Sequence, residues 1–130
     1  MNGPQRPQAG PALDHMIVLA EDKNASARFL TWLLGLPEAQ PQSIFLEVPL
    51  GNAVTLLFKE VEPGFPGQHY AFRVAAEEYP VILRRVQAAG VTYRSSPTGG
   101  GEGETYELKG EQGFYLYDPS GHQLEVLTDA

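Results

Sequence analysis

The chain has 130 residues, no cysteine and a formal net charge of -7, with 42% hydrophobic and 10% aromatic residues. That is the size and composition of one globular domain with a buried core. It excludes disulfides and thiolate metal ligands, argues against nucleic-acid phosphate as a partner, and contains no apolar run long enough to span a bilayer.

Residues 1–12, MNGPQRPQAGPA, are rich in Pro, Gly and Gln and read as a disordered tail. They lack the basic and apolar regions of a signal peptide, so the expected address is the cytoplasm. Residues 13–130 read as one domain. Residues 13–20, LDHMIVLA, are nearly continuous apolar sequence and read as a buried strand. A helix is expected from about Asp22, a plausible N-cap, with Phe29, Trp32, Leu33 and Leu36 at helical spacing and Gly35 placed to end it. Residues 43–48 and 53–59 read as two strands joined by the turn Pro49-Leu50-Gly51-Asn52.

Residues 62–67, EPGFPG, are a linker by composition. Residues 68–74 form another strand. A second helix starts near Glu77 and Glu78, tolerates Pro80 only in its first turn, and stops at Gly90. A short strand at 91–94 precedes a glycine-rich loop, 95–103, that lacks a P-loop lysine and reads as a mobile loop or a lid. Tyr106 and Leu108 belong to a strand of their own or to that lid. The chain closes with GFYLYDPSGHQLEVLT, an aromatic strand, an Asp-Pro-Ser-Gly turn and a second strand, in which His122 is expected to be exposed.

The two halves look like copies. Asp-His-Met at 14–16 and Gln-His-Tyr at 68–70 both open a strand with histidine second, 54 residues apart, and each strand precedes a glycine-ended helix. FLEVPLGNAVTLLF then lies over YLYDPSGHQLEVLT at an offset of 70, which puts Pro49 on Pro119, Gly51 on Gly121 and Thr55 on Glu125. Two βαβββ units, about 13–62 and 68–130, are the simplest account.

Related by a pseudo-twofold axis, such units place His15 and His69 at equivalent sites, with Glu125 in the final strand. A carboxylate between Leu124 and Val126 needs a wet face or a partner that offsets its desolvation. Two histidines and one carboxylate are a divalent-metal set with open positions, Thr55 being the copy without a carboxylate. Tyr115 and Tyr117 share a strand face. Arg73, four residues after His69, either binds an anionic substrate group or pairs with Glu47.

With these motifs, LDHMIVLAEDKNASARFLTWLLGL, GQHYAFRV and GFYLYDPSGHQLEVLT, the chain after Leu13 resembles the vicinal oxygen chelate superfamily. That superfamily includes glyoxalase I, bleomycin-resistance proteins, extradiol dioxygenases and fosfomycin-modifying transferases. The resemblance implies an α+β fold of two βαβββ modules around a concave mixed sheet, with helices outside. It puts His15, His69 and Glu125 on the three metal-ligand positions and Tyr115 on the position of an active-site tyrosine. Thr55, Arg73, Tyr117 and Glu47 would line the substrate pocket.

The departures are specific: Thr55 replaces a fourth ligand, Ile17 stands where fosfomycin enzymes carry threonine, and the dioxygenases' acid-base histidine has no counterpart in the first unit. The expected function is a divalent-metal enzyme for a small molecule chelated through vicinal oxygens. Ligand count favours an extradiol-dioxygenase-like reaction with Fe2+; a glyoxalase-type lyase or isomerase with Zn2+, Mn2+ or Ni2+, and a non-catalytic drug-binding protein, are the alternatives. A homodimer is expected, with the site either inside one chain or shared between two.

Overall fold

β1 (His15–Ala20) buries Val18 and Ala20 while His15 and Ile17 stay exposed, the alternation of a strand with one face on a core. Asp22 caps α1 (Lys23–Leu34), its side chain accepting from the Ala25 amide at 3.1 Å, and Gly35 ends the helix at φ 68°. β2 (Gln40–Gln42), β3 (Phe45–Pro49) and β4 (Thr55–Glu60) follow, giving a four-stranded sheet of order β1-β4-β3-β2 with β1 parallel to β4. The second unit repeats this with β5 (His69–Arg73), α2 (Tyr79–Ala89), β6 (Tyr106–Leu108), β7 (Glu111–Tyr117) and β8 (Gln123–Asp129), in the order β5-β8-β7-β6. Pro80 sits in the first turn of α2 and Gly90 caps its end at φ 70°. The α+β arrangement of two βαβββ units is thus the one expected.

This computed structural model describes residues 10–130; residues 1–9, most of the expected tail, lie outside the described residues. The strand expected at 91–94 reduces to a pair of backbone bridges from Arg94 to Tyr115 and Glu102. Among the described residues no helix is long and apolar enough to cross a membrane.

The strand register corrects the repeat by two residues. Thr55 pairs with His15 and Pro49, whereas the residue pairing with both His69 and Tyr117 is Gln123. The offset between the hairpins is therefore 68, and the counterpart of Glu125 is Leu57 rather than Thr55. The turns agree: Ala53 (φ 69°) and Gly121 (φ 90°) both adopt the left-handed conformation at the same place in a five-residue connection. Pro49 and Pro119 are not equivalent: Pro49 is the last residue of β3, paired with Thr55, whereas Pro119 lies inside the connection after β7. A shift of two leaves every side chain on the face it was expected to occupy.

One core serves both units. Val18, Leu56 and Phe58 of the first sheet, Leu30 and Leu33 of α1, Ile82 and Val86 of α2, and Phe114, Leu116, Leu124 and Val126 of the second sheet form a single buried cluster. Alternation then points His15 and Thr55 to the far side of one sheet and His69 and Glu125 to the far side of the other.

The closing hairpin fastens the units together. Contrary to expectation, His122 is 1% exposed. Its Nδ1 accepts from the Gln68 amide at 2.9 Å, so Nε2 carries the proton and donates to the Leu19 carbonyl at 2.7 Å, joining β1 to the start of β5. Ser120 adds two more ties, accepting from the Glu21 amide at 3.0 Å and meeting Ser26 Oγ at 2.8 Å. His122→Ala leaves a cavity and two unmet buried groups, so it should cost about 2–4 kcal/mol. Urea denaturation measures this; a loss below about 0.5 kcal/mol, the scale of ordinary surface substitutions, would remove the clamp from the account.

Candidate metal centre

On the outer face of the second sheet, β8 presents Glu125 between Tyr115 of β7 and Ala71 of β5. Its side chain is 14% exposed. A carboxylate so placed needs partners, and it has two. His69 Nε2, from the first residue of β5, lies 3.1 Å from Glu125 Oε1. The Tyr106 hydroxyl, from β6, donates to Oε2 at 2.5 Å.

Tyr106 reaches Glu125 because residue 113, facing it on β7, is glycine. A Cβ there would stand 2.5 Å from Tyr106 Oη and 2.7 Å from Cζ, so any side chain would displace the ring. Tyr115 fills the space between, 5.6 Å from the Tyr106 ring and 5.9 Å, edge to face, from the His69 ring. Burial first, then the hydrogen bond to Glu125 and its charge, push the Tyr106 phenol well above its ordinary pKa. Burial and then the Glu125 charge raise that of Tyr115 too. Both phenols therefore remain protonated donors at neutral pH.

The remaining expected site residues are dispersed. His15 is exposed on the other sheet, its Nδ1 2.8 Å from Asp14 Oδ2, with Thr55 beside it in register. Glu47 accepts from Gln42 Nε2 at 3.1 Å. Arg73 does not meet Glu47; Nη1 donates to Asp129 Oδ1 at 2.9 Å and Nη2 to Glu111 Oε2, since those two carboxylates flank it on its own sheet. Tyr117 is half-exposed, with the Arg94 guanidinium 5.2 Å from its ring centroid. The glycine-rich loop is stitched down rather than free: Ser95 N donates to Gly101 O, Gly103 N to Tyr93 O, and Gln123 Nε2 to Pro97 O.

Among the described residues of one chain, no three His, Asp or Glu side chains assemble to hold a metal. The two that do meet, His69 and Glu125, are one nitrogen and one oxygen donor already in contact, a set that suits a divalent ion of intermediate softness. Tyr106 and Arg94 are the two participants that the sequence did not single out for this face. Gly113, inside an otherwise bulky strand, is the signal that marks where Tyr106 lies.

No family model matches the chain. It is 30% identical over 122 residues to the glutathione transferase FosA of Serratia marcescens, a match covering 88% of this chain and 79% of that protein. Among solved structures it is similar to the oxidase ChaP-H1, with a TM-score of 0.89 and 38% identity over 93% of this chain and 98% of that one. The oxidase ChaP-H2 gives a TM-score of 0.87 and 40% identity over 92% and 94%. With its paired βαβββ units, its sheet order and these likenesses, the chain belongs to the vicinal oxygen chelate superfamily.

Proposed function

We propose that the chain is a divalent-metal-dependent oxidase or oxygenase acting on a small molecule with two adjacent oxygens. It works as a homodimer, each metal being held by His69 and Glu125 of one copy and His15 of the other. One observation carries this reading: His69 and Glu125 meet on the outer face of the second sheet, while the third donor, His15, stands on the outer face of the first sheet and does not join them. A single chain has two part-sites that do not come together, and two copies can complete both.

The sheet edges favour the same assembly. β1 and β5 are edge strands, each beginning with its histidine, so edge-to-edge contact between copies brings His15 towards His69. An open groove of about 760 Å³ runs between those edges, lined by Leu13, Met16, Leu36, Leu50, Phe72 and Val74. Leu13 and Ile17 are 61% and 47% exposed, apolar surface that a second copy would cover.

Iron is the favoured metal. Similarity to two oxidases at 38% and 40% identity supports redox chemistry over the transferase or lyase alternatives. Two residues argue the same way: Leu57, apolar, is the counterpart of Glu125, leaving three protein ligands, and Ile17 replaces the threonine of fosfomycin-modifying enzymes. A bound Fe2+ would supply Lewis-acid polarisation of two substrate oxygens and one-electron chemistry with dioxygen. The chain's own residues orient. Tyr106 holds one Glu125 oxygen, and the other faces His69 Nε2, so the two would turn together onto a bound ion. Tyr115 presents a protonated hydroxyl beside Glu125, placed to donate to a substrate oxygen.

Protein reconstituted with iron should be dimeric by light scattering, bind about one ion per chain and consume oxygen with a catechol panel. No oxygen uptake with any catechol, despite a full complement of iron, would contradict the oxidase reading. Removing the hydrogen bond that holds a ligating carboxylate should weaken metal binding by about 10–100-fold, so Tyr106→Phe should do so and Glu125→Gln should lose more. Metal competition titration reads both; unchanged affinity in Glu125→Gln would exclude that residue as a ligand.

A further inference from the structure

Arg94 lies on the same outer face as Glu125. It exchanges both backbone hydrogen bonds with Tyr115, at 2.9 and 2.8 Å, and residues so paired point the same way. Tyr115 is in turn opposite Glu125. Arg94, Tyr115 and Glu125 therefore form one row, from the bridge at Arg94 across β7 to β8, about 10 Å between the end backbones.

Among the described residues the guanidinium of Arg94 has no hydrogen-bond partner. Nε and Nη1 are shielded from solvent without any hydrogen bond. Among the described residues no carboxylate comes within ion-pair distance of it, although Glu102 bridges its backbone. Contact with the Tyr117 ring is what locates it. Arg73, the other arginine on this face, differs in being engaged by Glu111 and Asp129. A desolvated cation without a counter-ion, in a chain of net charge -7, is an uncompensated charge facing the site.

We infer that Arg94 is the anion anchor of the substrate site: it takes a carboxylate on an aromatic substrate whose two adjacent oxygens are held at the Glu125 end of the row. The inference rests on the metal reading above for the position of those oxygens. The row matches the length of a monocyclic aromatic with chelating oxygens at one end and an acidic group at the other. Tyr117 and Tyr115 offer ring surfaces along it, and the planar guanidinium fork matches a carboxylate edge.

Two probes isolate this contact, because 3,4-dihydroxybenzoate is catechol with an added carboxylate. Titrated into the iron-loaded protein, the carboxylated probe should bind about tenfold tighter than catechol. Arg94→Gln should abolish that preference, with catechol affinity and iron content little changed, and Arg94→Lys should restore only part of it. Equal wild-type affinities, or a preference that survives Arg94→Gln, would overturn the assignment. If neither probe binds, the metal reading is at fault, and benzoate against benzyl alcohol on metal-free protein decides Arg94 alone. Benzoate-specific NMR shifts at Arg94 and Tyr117, lost in Arg94→Gln, support it; their absence or persistence in the variant overturns it.

Discussion

Everything about this molecule depends on a single core being shared by the inner faces of two separate four-stranded sheets. Strands alternate, so on each sheet whatever is not in that core points to the outer face. Val18 and Ala20 inside mean His15 outside; Leu124 and Val126 inside mean Glu125 outside. The internal repeat therefore yields two equivalent faces without making them meet. The same device that stabilises the chain leaves its polar set divided.

The closing hairpin has two roles that alternate along it. Its buried residues, His122 and Ser120 with the apolar Leu124 and Val126, tie the units together and fill the core. Its outward residues, Tyr115, Glu125 and Tyr117, are the ones the proposed site draws on. Desolvation of Glu125 is offset locally by His69 and Tyr106, which also set the direction of each carboxylate oxygen. Arg94 extends the same row with a charge that no carboxylate among the described residues pairs with. In the proposed reading, one end of this face is a donor set for a metal and the other a receptor for an anion.

Much of this was legible in the sequence, and the exceptions share one cause. Helix limits followed from Asp22, Gly35, Pro80 and Gly90, because caps and turns are local chemistry. Alternation correctly assigned the faces of Glu125, Tyr115 and Tyr117. What escaped were properties set by contacts distant in the chain. Register slipped by two because proline and glycine recur in turns at different positions. His122 looked like an exposed turn residue because its partners, Leu19 and Gln68, lie in other strands. Arg73 looked free for Glu47 until the sheet order placed Glu111 and Asp129 beside it. Tyr106 was visible only through the gap left by Gly113.

The central claim is that a functional site takes His15 from one copy and His69 with Glu125 from another, and mixing two defective chains tests it most directly. His15→Ala and Glu125→Ala homodimers have no complete site, whereas a mixed dimer has one complete and one doubly defective site. Random association of the two variants after joint refolding should restore about a quarter of the wild-type metal content and oxygen uptake. Recovery at that level fits a shared site; no recovery from a mixture shown to contain heterodimers would contradict it.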